Sequence, residues 1–160
     1  MVYIGACAVM VAAFLIWREY VVHLDSELMW CREYLGALKD LREKMKCYLT
    51  SPSEWAKGYQ SEALVRCGFL DGVQASGNIL DAYKSSSKGV CISERTDEVL
   101  TGCFSRFGEG YIDTELETIE LAIAKLSEEE AESSFEIGRK RKVAGAFLGA
   151  CASGIVILVI

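Results

Sequence analysis

The sequence predicts an all-α protein: a cytoplasmic antiparallel helical bundle held between an N-terminal and a C-terminal transmembrane helix. Three observations lead there. All 17 Lys and Arg and all 23 Asp and Glu fall between Arg18 and Lys142, which leaves an uncharged run at each end. Within the charged middle, apolar residues recur at steps of three and four, the period of one helix face. Residues that start and stop helices stand at the ends of those runs. A length of 160 residues predicts one folded domain, here the charged segment 18–142, with spans at 1–17 and 143–160.

Met1 to Trp17 is apolar throughout, with Tyr3 near one end and Trp17 beside Arg18 at the other. Amphipathic rings sit at those two levels of a bilayer. The run is at the short edge of what crosses a membrane. A cleaved signal peptide needs a basic region ahead of its apolar run, whereas the positive charge here follows it. That order predicts a retained anchor with its N-terminus outside.

From Arg18 to Leu49 the stripe Leu24, Leu28, Cys31, Leu35, Leu38, Leu41, Met45 and Tyr48 predicts a long amphipathic helix of heptad type. Thr50-Ser51-Pro52-Ser53-Glu54 ends it and starts another. Ser51 can cap, Pro52 suits the first helical position, and Glu54 completes a capping box. The second helix is expected to run to about Cys67 with Trp55, Tyr59 and Leu64 buried, stopped by Gly68. A third helical segment spans Phe69 to Lys84, weakened by Gly72 and Gly77. After the loop Ser85–Gly89, Ser93 or Thr96 can cap a fourth helix with the stripe Val99, Leu100, Cys103, Phe104 and Phe107, ending at Gly108 and Gly110. Asp113 is expected to cap the last helix, whose apolar positions are Leu116, Ile119, Ile123 and Leu126.

That last helix turns strongly acidic at Glu128, Glu129, Glu130 and Glu132. Between Glu109 and Glu136 the only basic residue is Lys125. Such an arm is either a solvated helix face or a docking surface that steers a basic partner. Beyond it, Arg139, Lys140, Arg141 and Lys142 form a basic collar before the uncharged Val143–Ile160. At ~1.5 Å per residue this tail reaches roughly 27 Å, against a hydrocarbon thickness of ~30 Å. Basic flanks stay on the cytoplasmic side, so the collar predicts a cytoplasmic middle and an external C-terminus. A core helix of a soluble domain is the alternative, and four adjacent cations followed by no charge speak against it. Gly145 and Gly149 form a GxxxG pair that lets helices approach closely in lipid, either within one chain or between protomers of a homo-oligomer.

The net charge of -6 excludes nucleic acid as a partner, because binding a phosphate backbone needs a dense basic footprint. The seven cysteines include no CxxC pair and no zinc-like spacing. In a cytoplasmic domain, the five of the middle segment are expected to be reduced, small apolar residues. There is no phosphate loop of the Walker type, no GxGxxG, no HExxH and no GxSxG. The single histidine, His23, reads as a packing or interfacial residue. The sequence therefore predicts no catalytic, cofactor-binding or metal-ligating residue, and no enzyme.

The apolar start, the helical middle, Phe107-Gly108 followed by Asp113-Thr114-Glu115, and the collar before a Gly-rich span closing on Ile-Val-Ile-Leu-Val-Ile together resemble the stage III sporulation protein AB family of endospore-forming bacteria. The resemblance covers the whole chain and is most specific from Phe104 to Ile160. Where the family tends to show Leu-Gly after the Phe-Gly, this chain has Gly110-Tyr111, and the segment around Gly72 to Gly89 matches loosely. The resemblance implies a likeness to the cytoplasmic helical domains of the type II secretion F protein. It also implies a place in the mother-cell membrane facing the forespore, among the other stage III sporulation proteins, with a cytoplasmic secretion-type ATPase as partner. The expected function is thus a non-catalytic platform. The alternative is a membrane-tethered coiled-coil scaffold or signalling adaptor, in which the stripe from Leu24 to Tyr48 is an open seam for oligomerisation.

Overall fold

The only proline of the chain is Pro52, and nothing before it forces a turn. In the computed structural model the chain accordingly forms one helix, α1, over Val2–Tyr48. The backbone is described for residues 2–108 and 111–159, and side chains for 11, 12, 14–108, 111–144 and 146. Among these, the other elements are α2 (Pro52–Gly58), α3 (Glu62–Arg66), α4 (Phe69–Ser76), α5 (Ile79–Ser86), a 3-10 turn (Ser87–Gly89), α6 (Glu94–Phe104) and α7 (Ile112–Val159). The protein is all-α, and no strand occurs among the described residues. It divides into two compact units, Ser26–Glu130 and a second made of Met1–Asp25 and Ala131–Ile160.

Local chemistry sets the boundaries in the first unit. Ser51 accepts from the Glu54 N–H, the Glu54 carboxylate accepts from the Ser51 N–H, and Pro52 opens α2, so the expected capping box is present. The expected single helix from Pro52 to Cys67 is instead two. Tyr59 turns to extended backbone as the C-cap of α2, and the Ser61 hydroxyl accepts from the Leu64 N–H to start α3. Two helices also replace the expected segment Phe69–Lys84. Gly77 closes α4 in the left-handed region (φ 69°), and the Asn78 carboxamide caps α5 by accepting from Leu80 and Asp81. Ser93 caps α6. Asp113 lies inside the first turn of α7 and is not its cap; the Thr114 and Glu115 N–H groups bond to the Tyr111 carbonyl. Gly110 lies outside the described residues.

The stripe of α1 from Leu28 to Met45 is buried, joined by Tyr34 and Ala37, and the short helices and α7 cover it. Tyr34 from α1, Phe69 from α4, Phe104 from α6 and Tyr83 from α5 form a closed circuit of rings. Successive centroids are 5.4, 6.0, 5.5 and 5.4 Å apart, within the range of favourable edge and offset contacts. Gly72 lets α4 and α5 meet, since a Cβ there would stand 3.0 Å from the Ala82 Cβ. Polar ties hold the periphery: Trp55 Nε1 donates to Asp40 at 2.8 Å, Gln74 to the Ala56 carbonyl at 3.0 Å, and Tyr83 Oη to Asp97 at 2.6 Å.

Tyr48 departs from expectation. It is 74 % exposed because α1 stops at this point and the chain turns away. The turn is made by Leu49 at φ 52°, whose N–H bonds to the Met45 carbonyl. A left-handed residue with a Cβ is disfavoured by roughly 1–2 kcal/mol, and glycine recovers about half of that after its own entropy cost of ~0.5–1 kcal/mol. Leu49 is 73 % exposed, so its truncation uncovers little. Leu49→Gly is therefore expected to stabilise the protein by roughly 0.5–1 kcal/mol, measured as a raised urea midpoint with unchanged slope.

In the second unit the collar reaches across to α1. Lys140 Nζ donates to Tyr20 Oη at 3.2 Å and sits 5.4 Å from the Tyr20 ring centroid, and Arg141 pairs with Asp25. Among the described residues no helix is long and apolar enough to cross a membrane. The runs 1–17 and 143–160 fall largely outside the residues whose side chains are described, and so do Gly145 and Gly149.

Candidate functional site

The acidic face of α7 is divided between two tasks. Glu120, Glu129 and Glu130 pair with Arg42, Arg95 and Arg32 at 3.6, 3.2 and 2.8 Å, tying α7 to α1 and α6 within the bundle. The Glu129 side chain is only 16 % exposed. Glu128 and Glu132 are exposed, and Asp113 and Glu117 are exposed as well. Of the acidic quartet, Glu129 and Glu130 thus pair with arginines of the bundle, and Glu128 and Glu132 are exposed. Charge counting along the chain could not reveal this, because Arg32 is 98 residues from its partner.

The collar is divided in the same way. Arg139 and Lys142 are exposed, whereas Lys140 and Arg141 bond to Tyr20 and Asp25. Lys140 also reaches Glu136 at 2.9 Å. Their hydrogen bond holds the Glu136 carboxyl below its usual range, and the same bond, followed by that to Tyr20, holds the Lys140 ammonium above its own.

A concavity of the bundle unit lies elsewhere. It is a cleft of about 600 Å³ between the middle of α1, the Tyr59–Ala63 connection and the end of the 3-10 turn. Met29, Trp30 and Glu33 share one face of α1, by their i, i+1, i+4 spacing, and form one wall. Tyr59, stacked on Trp55 at 5.2 Å, forms part of the other. Glu33 Oε2 accepts from the Ser61 hydroxyl at 2.7 Å, which fixes the carboxylate against the start of α3. Its other oxygen accepts nothing within the described part of the chain. Burial first, then the Glu33 and Asp40 carboxylates, push the Tyr59 phenol above its ordinary range, so this wall carries negative potential. Arg66, on the rim, is paired with Glu62.

No family model matches the chain, and no curated protein or solved structure does so at a significant level.

The five described cysteines form no disulfide; Cys31 and Cys103 are buried, Cys67 and Cys91 are half-buried and Cys47 is exposed. The expectation of five buried thiols thus holds for two. Burial pushes the Cys103 thiol up to about 12, so it is an inert apolar group and no nucleophile at neutral pH. Burial likewise raises Cys31, partly offset by a hydrogen bond with Thr96.

Proposed function

We propose that the chain is a non-catalytic inner-membrane platform component of a mother cell to forespore transenvelope complex, as its resemblance to the stage III sporulation protein AB family implies. In this reading the two apolar ends cross the membrane, the bundle lies in the cytoplasm, and its outward carboxylates dock a secretion-type ATPase. The observation that carries the reading is the collar at Lys140 and Arg141 bonding to Tyr20 and Asp25. The cationic end of the last apolar run and the charged end of the first therefore stand side by side, as two antiparallel spans leaving one cytoplasmic bundle require. The ion pairs from α7 to Arg42, Arg32 and Arg95 support a rigid head, suited to transmitting position more than to chemistry. The scaffold alternative lacks its seam, because the α1 stripe from Leu28 to Met45 is buried under the chain's own helices.

The exposed thiol of Cys47 gives a direct test. A membrane-impermeant maleimide is expected to label it in inverted vesicles and not in intact cells, with the protein resisting carbonate extraction. Labelling of Cys47 from outside, or release by carbonate, would end the platform reading. Cross-linking followed by pull-down from sporulating cells is expected to recover the ATPase, and its absence would remove the docking role.

A further inference from the structure

The cleft beside Trp30 combines three properties that together select a ligand class. It is large enough for a side chain and part of the segment that carries it, at about 600 Å³. Its walls carry apolar and aromatic side chains, Met29 and Trp30 on one and Tyr59 on the other. The third property is a half-buried carboxylate, Glu33, held in place by Ser61 through one oxygen and open at the other.

A neutral apolar ligand would bury that open carboxylate oxygen without a donor, which is unfavourable. An anion would meet the Glu33 and Asp40 charges, while the nearby cation Arg66 is neutralised by Glu62. A cation with donors satisfies both walls at once. Between the two cationic side chains, guanidinium is planar, weakly hydrated, stacks on aromatic faces and presents a fork of donors to a carboxylate; ammonium is compact and strongly hydrated. We propose that this cleft receives an arginine side chain presented by a partner polypeptide, with its guanidinium between Trp30 and Tyr59 and donating to Glu33 Oε1. The inference is independent of where the protein resides and of the membrane reading. It assigns recognition of a basic partner to Glu33.

The test uses the full chain in nanodiscs with its tryptophans 15N-labelled, so that Trp17, Trp30 and Trp55 report separately. The probe is acetyl-Gly-Arg-Gly-amide, compared with the same peptide carrying citrulline, which keeps the shape and loses the charge. The arginine peptide is expected to shift the Trp30 indole signal saturably. The citrulline peptide should bind at least ~10-fold more weakly, the weight of one charge-assisted contact. Glu33→Gln, which still accepts from Ser61, should weaken the arginine peptide by a similar factor while leaving the melting temperature near that of the parent. Trp30→Leu should weaken it several-fold. Equal binding of citrulline, no effect of Glu33→Gln, or no Trp30 shift at millimolar peptide would each overturn the proposal. Tetramethylammonium binding as tightly as the arginine peptide would also overturn it, marking the cleft as an alkylammonium site.

Discussion

Tyr34→Ala is expected to lower stability by about 3–5 kcal/mol, the range for deleting a fully buried aromatic side chain. Tyr34 is 0 % exposed and its ring meets those of Trp30, Phe69 and Tyr83. It is the contribution of α1 to the ring circuit on which α4, α5 and α6 converge. Removing it leaves a cavity that cannot collapse easily, because its walls belong to three separate helices, α1, α4 and α5. Most single domains have only ~5–15 kcal/mol in total, so the loss should be visible as a large drop in the urea midpoint. Tyr34→Phe separates ring from hydroxyl. The hydroxyl faces Ser86 and Cys67 but makes no hydrogen bond of ordinary geometry. Its removal should therefore change stability by less than ~1 kcal/mol in either direction. A phenylalanine variant as unstable as the alanine one would mean that the hydroxyl, and not the ring, anchors the core.

Tyr34 also marks the limit of what the sequence made legible. The heptad stripe of α1 announced Leu28, Cys31, Leu35, Leu38, Leu41 and Met45 because each repeats at helical spacing. Tyr34 stands one position before Leu35, on a second column of the helix. Only a helix wrapped by several short partners buries that column too, and how far partners wrap is a tertiary fact. The capping box at Ser51 and the stop at Gly68 were readable because their signals are local. The breaks at Tyr59–Ser61 and Gly77–Asn78 were equally local, yet weak apolar spacing ran through both and masked them. Tyr48 fitted the stripe but fell just past the point where Leu49 turns the chain. The cleft could not be anticipated, since Glu33, Ser61 and Val90 are brought together by folding alone. The same holds for the acidic arm, where composition counts the carboxylates and only the fold says that Glu129 and Glu130 already have arginines.

Alkaline pH should begin to destabilise this protein before its lysines titrate. The Cys103 thiol is raised to about 12 by burial, and Cys31 and Cys91 are raised as well, in each case mainly by burial. An unfolded cysteine titrates near ~8.5. A group whose folded pKa lies above its unfolded value contributes stability that is complete below the unfolded value and is lost as pH climbs toward the folded one. Above pH ~9 the unfolded chain releases these protons and the folded chain keeps them. A buried thiol of this kind removes up to ~1.4 kcal/mol per pH unit, and Cys103 alone accounts for about 4 kcal/mol by pH 12. Tyr34 and Tyr83, raised by burial and in Tyr83 also by the hydrogen bond to Asp97, join from pH ~10, where free phenols begin to ionise. The urea midpoint of the full chain in mild detergent should be flat from pH 7 to 8.5 and then fall with increasing slope. Cys103→Ala, which loses little volume, should make the fall between pH 9 and 10 shallower while leaving the steeper fall above pH 10. Tyr34→Phe should do the reverse. If Cys103→Ala left the slope between pH 9 and 10 unchanged, the thiol would not be held protonated by the core formed from α6 and its neighbours. The loss would then have to come from the other raised thiols, Cys31 and Cys91.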